Sequence, residues 1–159
     1  MADETPSQTV GPFFHEALRW KDGGKMAPKA SGKRIVLTGR LVDGGGNAVG
    51  DAMVEAWQAE PAAFGRVETA ADGTYRFETV LPAGPVPSLD ISIFSRGLLK
   101  PLRTRVYLGG EESARADPLM KPLANSPRVR TLVATPAGEG QYRWDVRLQG
   151  DGETVFFAV

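Results

Sequence analysis

The residues best placed to do chemistry lie in one segment, Ser88-Leu89-Asp90-Ile91-Ser92-Ile93-Phe94-Ser95-Arg96-Gly97. Leu89, Ile91 and Ile93 alternate with Ser88, Asp90 and Ser92, the period of two of a half-buried strand. Its polar face carries hydroxyls and a carboxylate but no imidazole. Arg96 closes the strand beside a glycine able to turn the chain. The chain has a single histidine, His15, and no cysteine. Thiolate metal sites, disulfides and cysteine nucleophiles are therefore excluded. A Ser-His-Asp arrangement would need His15 beside a serine, and no nucleophile-elbow pattern supports it. A lone histidine on an arm more often packs or caps than moves protons. Tyr75, Tyr107 and Tyr142 lie within strand patterns, where tyrosine serves packing. Asp90 has no second metal ligand at a recognisable spacing. Arg96, Arg103 and Arg105 gather around one strand end and the next strand. Guanidinium groups there can bind a carboxylate in bidentate fashion or simply form weak surface pairs.

Several elements must position these groups. The 159 residues suit one domain with a sizeable core. Lys plus Arg balances Asp plus Glu at 19 each, so charge favours neither nucleic acid nor an anionic membrane as partner. No apolar run reaches the ~18 residues of a membrane-spanning helix. No secretory leader is visible and cysteine is absent, which fits a cytoplasmic chain.

Residues 1–32 read as an N-terminal arm, which the resemblance given below makes partner-facing, and 33–159 as a single domain. The arm carries Val10-Gly11-Pro12-Phe13-Phe14-His15, an apolar knot needing cover from this chain or a partner. Residues 21–33 read as a mobile connection. Ile35, Leu37 and Leu41 mark a first strand. Ala52–Gln58 forms a second, with Met53, Glu55 and Trp57 on one face and Glu55 facing solvent or an interface. Arg66–Ala71 and Thr74–Val80 flank Asp72-Gly73 and predict a hairpin. Residues 102–108 form another strand, and Glu111–Ala116 a helical turn. Asp117-Pro118 and Ser126-Pro127 bracket a loop. Arg130–Ala134, Tyr142–Gln149 and 153–159 complete about eight or nine short strands. The fold class is all-β, an antiparallel β-sandwich with an extended N-terminal arm.

Six stretches occur in order: Thr5-Pro6-Ser7-Gln8-Thr9-Val10-Gly11-Pro12-Phe13, Val54-Glu55-Ala56-Trp57-Gln58-Ala59, Asp72-Gly73-Thr74-Tyr75-Arg76-Phe77, Phe94-Ser95-Arg96-Gly97, Thr104-Arg105-Val106-Tyr107 and Leu148-Gln149-Gly150-Asp151-Gly152-Glu153-Thr154-Val155-Phe156-Phe157. Together they resemble the intradiol ring-cleaving dioxygenases, across nearly the whole chain, and most closely the α chains of αβ members. The resemblance implies a β-sandwich and an assembly with a β subunit. In that family the β subunit holds a non-haem Fe(III) through tyrosines and histidines, as suits a hard ferric ion. Catechol and O2 react there, opening the ring between the hydroxyl-bearing carbons.

This chain departs from that ligand set. The family's His-x-His positions read Ser88 and Asp90. Pro61-Ala62-Ala63-Phe64 replaces the stretch bearing one tyrosine, and the Pro82–Pro87 loop lacks the other. By resemblance the iron belongs to the partner β subunit, and this chain binds no metal and supplies no catalytic residue. Thr9, Gly11, Pro12, Phe13 and Arg96 would line the shared pocket for an aromatic dihydroxybenzoate. Phe13 stands where the family usually has tyrosine, removing a hydroxyl. Two other readings remain open: a catalytically inactive β-sandwich binding or scaffold module forming homo-oligomers, and a stand-alone metalloenzyme using Asp90, His15 and a tyrosine.

Overall fold

The computed structural model describes residues 17–158. Among the described residues, nine strands form two sheets. They are β1 Arg34–Val42, β2 Met53–Gln58, β3 Ala63–Glu68, β4 Thr74–Val80, β5 Ser88–Phe94, β6 Leu102–Tyr107, β7 Thr135–Gly138, β8 Gln141–Arg143 and β9 Val146–Arg147. The first sheet runs β4-β1-β8-β7, with β9 also beside β1. Its β1–β4 pair is antiparallel, whereas β8 and β9 lie parallel to β1. The second sheet, β3-β2-β5-β6, is antiparallel throughout. The expected sandwich is present, with parallel pairs beside β1 that the alternation alone did not reveal.

The period of two decides which side chains form the core. Ile35, Leu37, Leu41 and Phe77 of the first sheet join Val54, Ala56, Leu89, Ile91, Ile93 and Val106 of the second in one buried cluster. A smaller cluster lies under helix α1, Gly110–Ala116, and two 3-10 helices, Pro118–Leu123 and Pro127–Leu132. It holds Tyr107, Ala114, Met120, Val129, Leu132 and Val155.

The hairpin expected around Asp72-Gly73 does not form. Asp72-Gly73 does turn the chain, with Gly73 at φ +80 and the Thr74 amide donating to Asp72 Oδ1 at 3.0 Å. However, β3 pairs with β2 and β4 with β1, so this turn carries the chain from one sheet to the other. Thr69 ends β3: its hydroxyl donates to the Val49 carbonyl at 2.7 Å and accepts the Ala52 amide at 3.0 Å. A turn sequence sets a reversal, whereas the partner strand is set by long-range packing.

Residues 21–33 are not a loose connection. The Met26 amide donates to the Glu78 carbonyl and the Arg66 amide to the Gly23 carbonyl, linking this stretch to β4 and β3. Met26 and Ala27 are buried in the main core. A Cβ on Gly23 would overlap the Arg66 carbonyl oxygen, so the glycine permits this close approach.

The C-terminal third also differs from its pattern. The loop expected between the two proline pairs is mostly 3-10 helix. Asp117 and Ser126 cap the Leu119 and Arg128 amides, and a proline opens each helix. Arg130–Leu132 belongs to the second of these helices rather than to a strand. Residues 153–158 form no ladder, only a bridge between Arg103 and Phe157. Threonine side chains replace ladder bonds there: Thr131 Oγ1 accepts the Val155 amide, and Thr104 donates to the Val155 carbonyl.

Candidate functional site

The polar face of β5 points away from the core, as its alternation predicts: Leu89, Ile91 and Ile93 are buried, while Ser88, Asp90 and Ser92 are not. The register of the second sheet arranges its outer face in two cross-strand rows. One reads Phe64, Trp57, Asp90, Arg105, and the other Arg66, Glu55, Ser92, Arg103. Each carboxylate in these rows has an arginine beside it. Arg66 donates Nε and Nη2 to Glu55 Oε1 at 2.8 and 2.6 Å. Arg105 donates Nε to Asp90 Oδ1 at 2.7 Å.

Arg105 also anchors the site to the helical layer. Its Nη1 donates to Asp117 Oδ2 at 2.7 Å, and the Tyr107 hydroxyl donates to the same oxygen at 2.8 Å. The Leu119 amide donates to Asp117 Oδ1 at 2.9 Å. Burial alone would raise the Asp117 carboxyl. The Leu119 amide, Tyr107 hydroxyl and Arg105 guanidinium outweigh it and hold the group below its ordinary value. Burial, reinforced by the Asp117 carboxylate, pushes the Tyr107 hydroxyl well up. Three side chains and the Leu119 amide thus form one network in which both Asp117 oxygens are satisfied.

Above the two rows lies a groove of about 420 Å³, with Trp57, Phe64, Leu119 and Phe157 among its lining residues. Trp57 and Phe64 are register partners, while Leu119 reaches it from the first 3-10 helix. The bridge to Arg103 brings Phe157 in from the C-terminal segment. Trp57 remains 48% exposed at its mouth. The alternation of 52–58 placed Trp57 and Glu55 on an outer face. The walls given by Leu119 and Phe157 come from segments with no local signal for such a role.

The residues proposed from sequence are not all brought together. Thr9, Gly11, Pro12 and Phe13 lie outside the described residues, as does His15. Arg103 and Arg105 share the outer face of the second sheet. Arg96 does not join them: it stands beyond the end of β5, ion-paired with Asp51 and 63% exposed. It lines a separate depression with Asp51, Leu98 and Leu148.

No family model matches the chain. It is 38% identical to the protocatechuate 3,4-dioxygenase alpha chain of Burkholderia cepacia, over 98% of this chain and 98% of that protein. It is 35% identical to the alpha chain of the same name from Pseudomonas putida, over 97% and 96%.

The chain belongs to the intradiol ring-cleavage dioxygenase family, among its alpha chains.

A more distant match within the family is the protocatechuate 3,4-dioxygenase beta chain of Burkholderia cepacia, 28% identical over 93% of this chain and 77% of that one. The fold agrees with the intradiol ring-cleavage dioxygenase of Tetranychus urticae at a TM-score of 0.61 and 16% identity, covering 92% and 94% of the two chains.

This family implies a non-haem iron, and the donor set can be tested against one. The described residues do not fit it. The Asp90 carboxylate is capped by Arg105, and the Tyr107 hydroxyl is committed to Asp117. Tyr75 is buried and donates to the Trp144 carbonyl at 2.5 Å. No group of His, Cys, Asp and Glu converges on a metal position among the described residues. A cation placed beside Asp90 would meet the Arg105 guanidinium, which repels it. No described helix is long and apolar enough to cross a membrane.

Proposed function

We propose that this chain is the non-iron-binding alpha subunit of an αβ protocatechuate 3,4-dioxygenase. It completes the substrate pocket of an Fe(III)-bearing beta subunit, which cleaves protocatechuate with O2 to 3-carboxy-cis,cis-muconate. The end-to-end match to two alpha chains carries this reading. The Asp90–Arg105 pair adds to it, because a guanidinium occupies the face where a metal-binding chain would aim its ligands. In this reading the arm within residues 1–32 faces the partner up to the stretch Gly23–Ala27 that packs on this chain's own core, and 33–159 form the sandwich, in a cytoplasmic complex.

Thr9, Gly11, Pro12 and Phe13 of the arm line the shared pocket, together with Arg96. Arg96 offers a guanidinium to the substrate carboxylate, in competition with Asp51. Arg96→Ala in the complex raises KM for protocatechuate by roughly tenfold and leaves kcat nearly unchanged, the pattern of lost uniform binding. Normal kinetics would leave Arg96 as a surface ion pair with Asp51.

Co-expression tests the assembly itself. The tagged chain is expected to copurify with the beta subunit in equal amounts. A well-folded homo-oligomer that excludes an available beta subunit would establish the scaffold reading instead.

A further inference from the structure

The groove over the second sheet has an unbalanced charge. Glu55 and Asp90 are each engaged by their own arginine, Arg66 and Arg105. Arg103 lines the same groove, and among the described residues its guanidinium makes no ion pair or hydrogen bond. Its register neighbour Ser92 adds a hydroxyl. Among the described residues Arg103 is thus an unpaired fork of donors beside a largely apolar cleft walled by Trp57, Phe64, Leu119 and Phe157. The volume of about 420 Å³ falls within the ~300–1,000 Å³ typical of small-molecule pockets.

We infer that this groove is a binding site, wholly on this chain, for an aromatic monocarboxylate. The ring lies against Trp57 and Phe64, where flat apolar surfaces offer stacked or edge contacts. The carboxylate meets Arg103 in a charge-assisted, bidentate pair. The specificity follows from the charge balance. A dication would meet only carboxylates already neutralised, and a neutral ring would leave Arg103 unmatched. A dicarboxylate would place its second charge against the apolar wall. The site stands on this chain's own residues and does not depend on which partner completes the assembly.

The test is fluorescence titration of the purified full-length chain, in whatever assembly it forms, with benzoate as probe. Trp57 is the reporter. Saturable quenching by benzoate is expected, and Trp57→Phe removes it. Arg103→Ala raises the Kd by roughly tenfold, the scale of one carboxylate–guanidinium contact at a half-open site. Arg103→Lys falls between, keeping the charge but losing the fork. Benzamide, the uncharged analogue, binds wild-type protein as weakly as benzoate binds Arg103→Ala. Benzoate bound in a partner's pocket is insensitive to both Trp57→Phe and Arg103→Ala. The inference is overturned by absence of saturable quenching, by equal affinities for benzoate and benzamide, or by an unchanged Kd in Arg103→Ala.

Discussion

Asp117→Ala is expected to destabilise the chain by roughly 2–4 kcal/mol, measured by urea unfolding. The Asp117 side chain is only 10% exposed and that of Arg105 24%. Removing the carboxylate strands a partly buried guanidinium, a buried tyrosine hydroxyl and the Leu119 amide that begins the first 3-10 helix. The usual cost of breaking a buried pair is about 3–5 kcal/mol, and the lower range allows for partial solvent screening of Arg105. Asp90→Ala breaks the other half of the same arginine's pairing, yet Asp90 is 50% exposed. It is expected to cost under about 1 kcal/mol. A larger loss from Asp90 than from Asp117 would show that the network is anchored from the sheet rather than from the helical layer.

The same carboxylate gives the chain an acid limb. Asp117 titrates lower in the folded chain than its ordinary value. In that window the unfolded chain binds more protons, so stability rises with pH. The contribution is complete above the unfolded carboxylate pKa of about 3.9 and is lost as pH falls through the lower folded-state value. Asp117→Asn flattens this limb. Tyr107 acts at the opposite end. Its raised value gives stability that is complete below the unfolded pKa of about 10 and lost at higher pH.

The second large effect concerns turnover. Omitting this chain from the co-expressed complex is expected to lower kcat/KM for protocatechuate by at least roughly 100-fold, read as O2 uptake. That is the scale on which misplacing a substrate by about 1 Å acts. Adding the purified chain back restores the rate if beta remains folded without it. Circular dichroism of the lone beta subunit separates a missing pocket wall from a partner that has unfolded.

The sequence made much of the positioning frame legible. The alternation of Ser88–Phe94 matched its burial, and that of residues 52–58 put Trp57 and Glu55 on the outer face. Local pattern could not show that the Asp72-Gly73 turn changes sheets, because strand pairing is settled by contacts far apart in sequence. Nor could it show that Asp117, read as a loop-opening residue before proline, binds Arg105 and Tyr107 across the helical layer. The groove has no local signature for the same reason: two of its walls come from a 3-10 helix and a C-terminal segment without a ladder. The three arginines that looked like one cluster divide into Arg103 and Arg105 on the sheet and Arg96 on Asp51. Family membership was legible in six short stretches taken in order, and the end-to-end match agrees with it.

We propose that the iron of the complex is held by the beta subunit, in a pocket that this chain completes. Iron counted per αβ pair in the purified, active complex tests it most directly. About one iron per pair is expected, retained when Ser88 and Asp90 are both replaced by alanine. Two irons per pair, or loss of iron in that double variant with the complex still assembled, would contradict it.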